Sequence, residues 1–439
     1  MFFERPDSGE LAVLVHLELS QVELNNDPRE FEELVISAGG DPADFISGQR
    51  ATPHAKFFIG TGKLDELKQA VIQHEAEVVI FNHELSASQE RNLEKALECR
   101  VLDRTGLILD IFAQRARTHE GKLQVELAQL EHMSTRLIRG WTHLERQKGG
   151  IGLRGPGETQ LETDRRLLRA RIKNIHKRLD KVRKQREQGR RARSRAEIPT
   201  LSLVGYTNAG KSTLFNRITD SSVYAEDQLF ATLDPTMRKI ELAQVGAAIL
   251  ADTVGFVSNL PHKLVESFRA TLEEAANADL LLHVVDYVDD ERHRNMEQVG
   301  EVLKEIGADE LPELVVYNKI DLLEGFEPKL DRDEHGKPVA VWLSAQSGQG
   351  IDLLLKAVSD LLAQDVVHAT LLLQPKFARL RAKLFANNSV LLENYRDDGQ
   401  SELEIRIPVA DLNRILAAES LTASELEFLD PAAATKLAV

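Results

Sequence analysis

Residues 200–218 read TLSLVGYTNAGKSTLFNRI, an apolar strand followed by a glycine-rich loop and a helix. The loop from Gly205 to Ser212 has the spacing G-x-x-x-x-G-K-[ST]. Its glycines let backbone N–H groups point inward at a helix N-terminus, where phosphate oxygens bind. Lys211 places a positive charge on the β- and γ-phosphates, and the Ser212 hydroxyl is suited to ligate Mg²⁺. The stretch therefore predicts a site for a nucleoside triphosphate with Mg²⁺.

Two later segments supply the groups that would surround the γ-phosphate. Asp252-Thr253-Val254-Gly255 follows the apolar run AAILA, so Asp252 would hold Mg²⁺ through water and the Gly255 N–H would meet the γ-phosphate. Between these motifs lies Phe230-Ala231-Thr232-Leu233-Asp234-Pro235-Thr236. We expect Thr232, with Thr236 as the alternative, to close over Mg²⁺ and to be released after hydrolysis. Residues 256–274 would form a second switch.

Two further motifs select the base. Asn318-Lys319-Ile320-Asp321 follows the apolar run ELVVY. The Asp321 carboxylate would accept from guanine N1–H and the exocyclic amine, a donor pair that adenine lacks, while Asn318 and Lys319 brace the site and pack over the base. Ser344-Ala345 follows VAVWL, where a backbone N–H would reach guanine O6. Four motifs in this order, each after an apolar strand, predict GTP as the nucleotide.

Strands and helices also alternate in the first part of the chain. Residues 10–19 read as a buried strand, and residues 28–40 read as a helix ended by two glycines. Residues 57–63, FFIGTGK, resemble a phosphate loop but are too short for one, so we interpret them as a strand and turn before a helix over 64–74. The pattern predicts a small α/β domain, with a parallel sheet covered by helices, over residues 1–118.

Apolar residues at heptad spacing mark two long helices. The spacing is 4-3-4-3-4 from Leu123 to Trp141 and 7-4-3-4-3 from Leu161 to Val182. Between them lies the glycine-rich run KGGIGLRGPGET. These features predict an antiparallel helical hairpin with a basic linker over residues 119–197, and we favour residues 149–157 as a contact loop at its tip over a flexible connector.

The remaining chain divides into two further predicted units. Residues 198–365 alternate strand and helix, which predicts a P-loop domain with a mostly parallel sheet and helices on both faces. Residues 366–439 read β-α-β-β-α, with Asp397-Asp398-Gly399 as a hairpin turn. The fold class is thus α/β, with a small α+β domain at the C-terminus.

Charge is strongly segregated along the chain. The whole protein has a net charge of −15, yet residues 136–195 hold 20 Lys and Arg against six Asp and Glu. A basic element on an acidic body is typical of a protein that binds a polyanion, although a solvated helix face would show the same count.

Composition limits the cellular setting. A single cysteine, Cys99, forbids an intramolecular disulfide and is typical of a reducing cytosol. The N-terminal run MFFERPDSGE is unlike a secretory signal, and no stretch approaches the roughly 18 apolar residues of a membrane helix. We therefore expect a cytoplasmic protein without membrane insertion.

The motifs together resemble the translation-factor-class P-loop GTPases. With FATLDPT and the glycine-rich run GGIGLRGPGETQLETDRR between two charged helices, the chain is similar over nearly its whole length to the HflX family of bacterial ribosome-associated GTPases. The resemblance implies binding of the large ribosomal subunit and its rRNA, and splitting of stalled or idle ribosomes under stress such as heat. In that picture residues 149–157 reach toward the peptidyl-transferase centre.

One departure from small signalling GTPases concerns Phe256, which stands where they carry a water-positioning glutamine. A phenyl ring cannot orient water, so we expect slow hydrolysis until the ribosome orders the switches. Asn208 resembles the K⁺-binding asparagine of GTPases that lack this glutamine, which gives the hypothesis of K⁺ as a second cofactor beside Mg²⁺.

Three alternatives remain open. The protein could be an assembly factor for the large subunit, in which GTP turnover serves only release. A small-molecule kinase is disfavoured because Asp321 selects guanine and no second-substrate site is apparent. The two helices could instead form a dimeric coiled coil, but the glycine-rich break favours a hairpin within a monomer.

The predicted site residues fall into three groups. Predicted catalytic groups are Lys211, Thr232, Gly255 and Asn208. Predicted Mg²⁺ ligands are Ser212 and Thr232. Predicted contacts to GTP or GDP are Gly205, Tyr206, Thr207, Asn208, Ala209, Gly210, Lys211, Ser212, Phe230, Ala231, Thr232, Leu233, Asp234, Asp252, Thr253, Val254, Gly255, Asn318, Lys319, Ile320, Asp321, Ser344, Ala345 and Gln346.

Overall fold

The computed structural model contains three separate β-sheets joined in one chain. The structure describes residues 10–20, 27–140, 160–195, 198–219, 229–230, 232–233, 235–243, 245–257, 272, 274–364, 366–387, 389–396, 399–419, 421–422 and 425–429. The predicted tip at 149–157, the residues Ala231 and Asp234, and most of the predicted second switch lie outside these ranges.

The first sheet has four parallel strands in the order β2-β1-β3-β4. Its elements are β1 (Glu10–Leu19), α1 (Pro28–Ser37), β2 (Gly40–Arg50), α2 (Thr61–Gln73), β3 (Val78–Phe81), α3 (Ala87–Leu97), β4 (Arg100–Asp103) and α4 (Arg104–Arg115). Asp27 and Ser86 cap α1 and α3 by accepting backbone N–H bonds, which explains where these helices begin.

The predicted strand at FFIGTGK is wrong. The second strand is instead β2, GDPADFISGQR, which pairs with the whole of β1. Its sequence does not indicate a strand, because glycine, aspartate and proline are rare in strands. Pairing with the buried β1 overrides this low strand propensity. Residues 57–60 form an irregular turn, in which Phe58 has a φ of +66°.

Two long helices, α5 (His119–Gly140) and α6 (Gln160–Arg195), pack against each other as an antiparallel pair. The predicted seam is confirmed in part by a small buried cluster of Leu123, Leu127, Ile175 and Leu179. Ion pairs flank it, with Arg171 on Glu126 at 2.6 Å and Arg186 on Glu120 at 2.9 Å. The N-terminal end of α5 therefore lies beside the C-terminal half of α6, as in an antiparallel pair.

The central sheet has seven strands in the order β10-β11-β9-β8-β5-β7-β6, and its five inner strands are parallel. The edge strands β6 and β10 run antiparallel to their neighbours. Its elements are β5 (Thr200–Val204), α7 (Lys211–Thr219), β6 (Thr236–Leu242), β7 (Gly246–Asp252), β8 (Leu280–Asp286), α8 (Arg292–Glu305), β9 (Glu313–Asn318), β10 (Lys329–Arg332), β11 (Pro338–Trp342) and α9 (Ile351–Gln364). This is the predicted P-loop arrangement.

The last sheet is antiparallel, in the order β13-β14-β12-β15. Its elements are β12 (Val366–Leu373), α10 (Ala378–Ala386), β13 (Val390–Tyr395), β14 (Ser401–Pro408), α11 (Val409–Ala418) and β15 (Glu427–Phe428). Strands β13 and β14 pair antiparallel on either side of the predicted turn, of which Asp397 and Asp398 lie outside the described residues, and the order of elements agrees with the predicted β-α-β-β-α module.

One hydrophobic core joins the first sheet to the central one. Alongside Leu14 of β1, Phe31 of α1 and Phe112 of α4, it buries Phe230 and Val254, which come from segments around the phosphate loop. The rings of Phe112 and Phe230 meet edge to face, with centroids 4.7 Å apart. Among the helices that the structure describes, none has the length and apolar character needed to cross a bilayer.

Candidate nucleotide site

The phosphate loop leaves β5 at Gly205 and enters α7 at Lys211. Gly205 and Gly210 have φ values of +143° and +91°, where only glycine is free of strain. A Cβ at Gly205 would lie 2.2 Å from the Val284 carbonyl oxygen, and one at Gly210 would lie 2.2 Å from Asn318 Nδ2. Asn208 has a φ of +59° and is exposed at the loop's apex. Both glycines are therefore required by conformation and by space.

Lys211 lies inside the loop rather than in solvent. Its ammonium donates to the carbonyl oxygens of Gly205 at 2.9 Å and Tyr206 at 2.6 Å. Burial lowers the pKa of Lys211 to about 8, against the opposing charge of Asp252. The loop thus concentrates a positive charge where the β- and γ-phosphates of a nucleotide are predicted to bind.

Three oxygen-bearing side chains converge beside the loop. The hydroxyls of Ser212 and Thr232 are 2.7 Å apart, and they donate to Asp252 Oδ2 at 2.9 and 2.8 Å respectively. Burial raises the pKa of Asp252, opposed by Lys211 and these hydroxyls. Asp252 Oδ1 is also buried, and no described residue donates to it.

These oxygens fit a magnesium ion. Two hydroxyls and a buried carboxylate form the hard oxygen set that Mg²⁺ prefers, with nucleotide phosphates supplying further ligands. Oδ1 of Asp252 is an acceptor that the residues described by the structure leave unused. Ser212 and Thr232 would hold the ion directly and Asp252 through water, and the ion would neutralise phosphate charge when bound.

The segment after β7 is bonded directly to the phosphate loop. Thr207 N–H donates to the Phe256 carbonyl at 2.7 Å, and Phe256 N–H donates to the Gly205 carbonyl at 3.2 Å. A Cβ at Gly255 would lie 2.8 Å from Thr207 Cγ2 and 3.0 Å from Lys211 Nζ. Gly255 therefore lies close enough to Lys211 for its N–H to share a phosphate group with it.

The side chain of Phe256 is buried in an apolar cluster and does not line the predicted phosphate site. It is 2% exposed and packs in a cluster with Val204, Leu272 and Ala275. A phenyl ring in an apolar cluster offers no hydrogen bond to an attacking water. Phe256 therefore leaves the position of a water-orienting glutamine without a polar group.

Asn318 braces the base side of the site. Its Nδ2 donates to the Ala209 carbonyl at 2.9 Å, and its Oδ1 accepts from the Ala345 N–H at 2.9 Å. One buried amide thereby links the phosphate loop to the loop after β11. Because Ala345 N–H is used in this way, a contact to guanine O6 would require sharing that group or using the N–H of Gln346.

The next residues lie at the mouth of the site. Lys319 has a φ of +67° and pairs with Asp286 at 2.9 Å, which holds its side chain across the edge of β8. Ile320 is buried, whereas the Asp321 carboxylate is exposed. This placement leaves Asp321 accessible to a base, as its predicted role requires.

Sequence reasoning missed two contributors. Arg217 of α7 donates to the carbonyl oxygens of Ala345, at 3.2 Å, and Gln346, so it fixes the loop beside the base. Glu30 of α1 accepts from the Tyr206 hydroxyl and reaches the phosphate loop from the first sheet. The run FNRI gave no signal for Arg217, and nothing local to α1 predicts a contact 176 residues away.

The chain was also compared with known proteins. Three family profiles match successive parts of the chain: GTP-binding GTPase N-terminal at 25–113, GTP-binding GTPase Middle Region at 115–193, and 50S ribosome-binding GTPase at 200–319. A crystal structure of a GTP-binding protein from the archaeon Sulfolobus solfataricus in complex with GDP is 25% identical, covering 81% of this chain and 99% of that one, with a TM-score of 0.43.

Curated relatives are much closer in sequence. GTPase HflX from Escherichia coli (strain K12) is 59% identical over 417 residues, which covers 95% of this chain and 98% of that protein. GTPase HflX from Magnetococcus marinus is 46% identical over 387 residues, covering 87% of this chain and 88% of that protein. Identity of this extent, with the phosphate loop and its partners in place, shows that the chain belongs to the GTPase HflX family and is a GTP hydrolase.

Proposed function

We propose that this GTPase binds the large ribosomal subunit through its rRNA, as a cytoplasmic monomer, and splits or rescues stalled or idle ribosomes under stress such as heat. The observation that carries the proposal is a basic helix face joined to the nucleotide domain. The family profile described as 50S ribosome-binding GTPase supports the choice of partner.

The basic face belongs to α6. Between residues 165 and 188 the exposed acidic residues are Asp180 and Glu187 alone. The exposed basic residues on the same stretch are Arg166, Arg169, Arg171, Lys173, Lys177, Arg178, Lys181, Arg183 and Lys184. Their excess is suited to the closely spaced phosphates of RNA, which attract Lys and Arg in a salt-dependent way.

Arg186 on this helix reaches the nucleotide domain. Arg186 pairs with Glu120 of α5 at 2.9 Å and lies 3.9 Å from Glu274. Glu274 is at the end of the segment predicted to be the second switch, and its side chain is 4% exposed. A conformational change in that switch would therefore alter the contact of Glu274 with α6. By reciprocity, binding of RNA to α6 would shift the conformation of the switch.

Hydrolysis is proposed to depend on the ribosome. Because Phe256 is buried and cannot orient water, the isolated protein lacks one group that accelerates the reaction. We expect single-turnover hydrolysis to rise on addition of large subunits. Unchanged rates at saturating subunit concentration would be incompatible with this dependence.

Potassium is proposed as an aid to catalysis. Asn208 is exposed in the phosphate loop and has a left-handed backbone conformation. We expect faster hydrolysis in K⁺ than in Na⁺, and we expect Asn208→Ala to remove the difference. Equal rates of the unaltered protein in the two salts would contradict the role of K⁺.

Subunit dissociation separates splitting from an assembly role. Intact ribosomes are mixed with the protein and a non-hydrolysable GTP analogue and are sedimented. We expect free subunits to appear, and we expect deletion of residues 149–157 to impair their formation while sparing nucleotide binding. Ribosomes that remain intact would rule out splitting and leave the assembly-factor function.

A further inference from the structure

A single carboxylate connects the first sheet to the phosphate loop. Glu30 on α1 is 8% exposed, and its two oxygens have different partners. Oε1 accepts from the guanidinium of Arg104, the first residue of α4, and Oε2 accepts from the Tyr206 hydroxyl. Tyr206 directly follows Gly205 in the loop, so Glu30 holds the loop from outside its own domain.

Glu30 is itself fixed from behind. Arg104 is 3% exposed and donates to Asn82 Oδ1 at 2.7 Å. The Asn82 amide in turn lies 3.1 Å from His16 Nδ1. A chain of buried polar groups resists displacement, because moving one member breaks hydrogen bonds that water cannot replace. Glu30 is therefore held in place where it accepts the hydrogen bond of the Tyr206 hydroxyl.

Tyr206 transmits this anchoring to Gly255. Its backbone lies between Gly205 and Thr207, which are both hydrogen-bonded to Phe256. The Tyr206 carbonyl also accepts from the Lys211 ammonium at 2.6 Å. Gly255 packs on Thr207 without room for a methyl group. A displacement of Tyr206 would therefore move the groups that face the third phosphate.

The same region is held from a second side. Val254 and Val257, which flank Gly255 and Phe256, are 3% and 5% exposed and belong to the core of the first sheet. Leu229 N–H donates to Ser37 Oγ at 3.1 Å, which fixes the segment that leads to Thr232. Both segments predicted to sense the γ-phosphate thus rest on the N-terminal domain.

We propose that Glu30 is a positioning residue for recognition of the γ-phosphate and acts through Tyr206. The inference rests on the placement of the γ-phosphate against Gly255 and Thr232 described above. GDP lacks that phosphate, so Gly255 and Thr232 have no γ-phosphate to contact in the GDP state. Loosening the Glu30–Tyr206 contact therefore weakens binding of the triphosphate selectively.

The test uses the full-length protein with Mg²⁺. Dissociation constants are measured for a non-hydrolysable GTP analogue and for GDP, in Tyr206→Phe, Glu30→Gln and the double variant. We expect the constant for the analogue to rise about tenfold and that for GDP to change by less than about twofold. We also expect the double variant to match the weaker single variant, because the two side chains act through one contact.

Tyr395→Phe provides a matched control. The Tyr395 hydroxyl accepts from Arg381 at 2.7 Å in the C-terminal sheet, so its loss should leave both constants unchanged. Tyr206→Phe removes only one oxygen, and a thermal unfolding transition within the normal range will show that it folds. If Glu30→Gln fails to fold, Tyr206→Phe still decides the question.

Two results would overturn the inference, and they differ from failure of the site itself. Equal weakening of both nucleotides, or no weakening of either, would show that Glu30 has no selective role. Such a result, with guanine preference intact and sensitive to Asp321→Asn, would leave the nucleotide site standing. If guanine preference is unchanged in Asp321→Asn, the assigned nucleotide site is wrong, and the inference about Glu30 fails with it.

Discussion

Thr232 Oγ1 donates a hydrogen bond to Asp252 Oδ2 at 2.8 Å, although the two residues belong to different segments of the site. Ser212 Oγ donates to the same oxygen. The segment that carries Thr232 is therefore already drawn over the predicted metal position. Phe230, which packs on Phe112 of α4, and Leu229, which donates to Ser37 of α1, account for this closed arrangement.

Removal of the Thr232 hydroxyl should affect only the triphosphate state. In Thr232→Ala the ion loses a ligand that is available only when this segment is closed. We expect the Mg²⁺ concentration needed for half-maximal binding of a GTP analogue to rise about tenfold, with GDP binding unchanged. Thr219→Ala, which removes a hydroxyl of α7 that donates to the Phe215 carbonyl at 2.7 Å, is the control. An equal Mg²⁺ requirement for both proteins would contradict the role of Thr232.

Loss of the Lys211 ammonium should weaken phosphate binding and hydrolysis together. Charge-assisted hydrogen bonds to phosphate contribute about 1.5–3 kcal/mol, so Lys211→Ala should bind GTP roughly tenfold to a hundredfold more weakly. Lys239→Ala removes an exposed lysine that pairs with Glu241 at 2.8 Å, and it should bind GTP normally. Calorimetric titration measures both, and normal affinity in Lys211→Ala would refute its assignment.

Base selectivity should follow Asp321. In Asp321→Asn the side chain offers a donor in place of one acceptor oxygen, which suits the carbonyl of xanthine better than the amine of guanine. We expect preference to shift from GTP toward xanthosine triphosphate in competition binding. Asp331→Asn, on β10 and paired with Lys329, supplies a matched substitution away from the base. Persistent guanine selectivity in Asp321→Asn would reject the base site.

Acid should loosen the first sheet through His83. Burial lowers the pKa of His83 to about 4 from an ordinary value of 6.5, and its Nε2 accepts from the Leu17 N–H at 3.1 Å. The unfolded chain binds a proton more readily than the folded one between these values. The contribution of neutral His83 is therefore complete above pH 6.5 and falls as the pH drops toward 4, by about 3 kcal/mol at most.

Native-state hydrogen exchange of β1 and β3 measures this loss. Protection, corrected for intrinsic exchange rates, should fall by about 2 kcal/mol between pH 7 and pH 5. His83→Gln keeps an acceptor for Leu17 but does not titrate, so its decline should be shallower. The neighbouring His16, whose pKa burial also lowers, accounts for the remainder. Identical pH profiles for the two proteins would contradict the role of His83.

Local spacing made the nucleotide site readable from the sequence. The distance from Gly205 to Ser212 is set by the loop itself, and each later motif follows a strand whose apolar run marks its end. The antiparallel α5–α6 pair was readable for the same reason, since heptad spacing is a local signal.

Contacts between distant segments were not readable. The strand β2 is poor in strand-forming residues and owes its conformation to pairing with β1. The Glu30–Tyr206 contact depends on how two domains pack, and no pattern in either segment specifies it. The use of Ala345 N–H by Asn318 likewise depends on tertiary placement rather than on the motif in which each residue lies.

We propose that bound GTP directs the basic face of α6 to the large ribosomal subunit. Co-sedimentation of the protein with isolated large subunits, isolated small subunits and intact ribosomes tests it most directly, in the presence of a GTP analogue, GDP or no nucleotide. We predict that the protein pellets with large subunits in the analogue state, and less in the other two states. Failure to pellet with large subunits, or equal pelleting with small ones, would contradict the account.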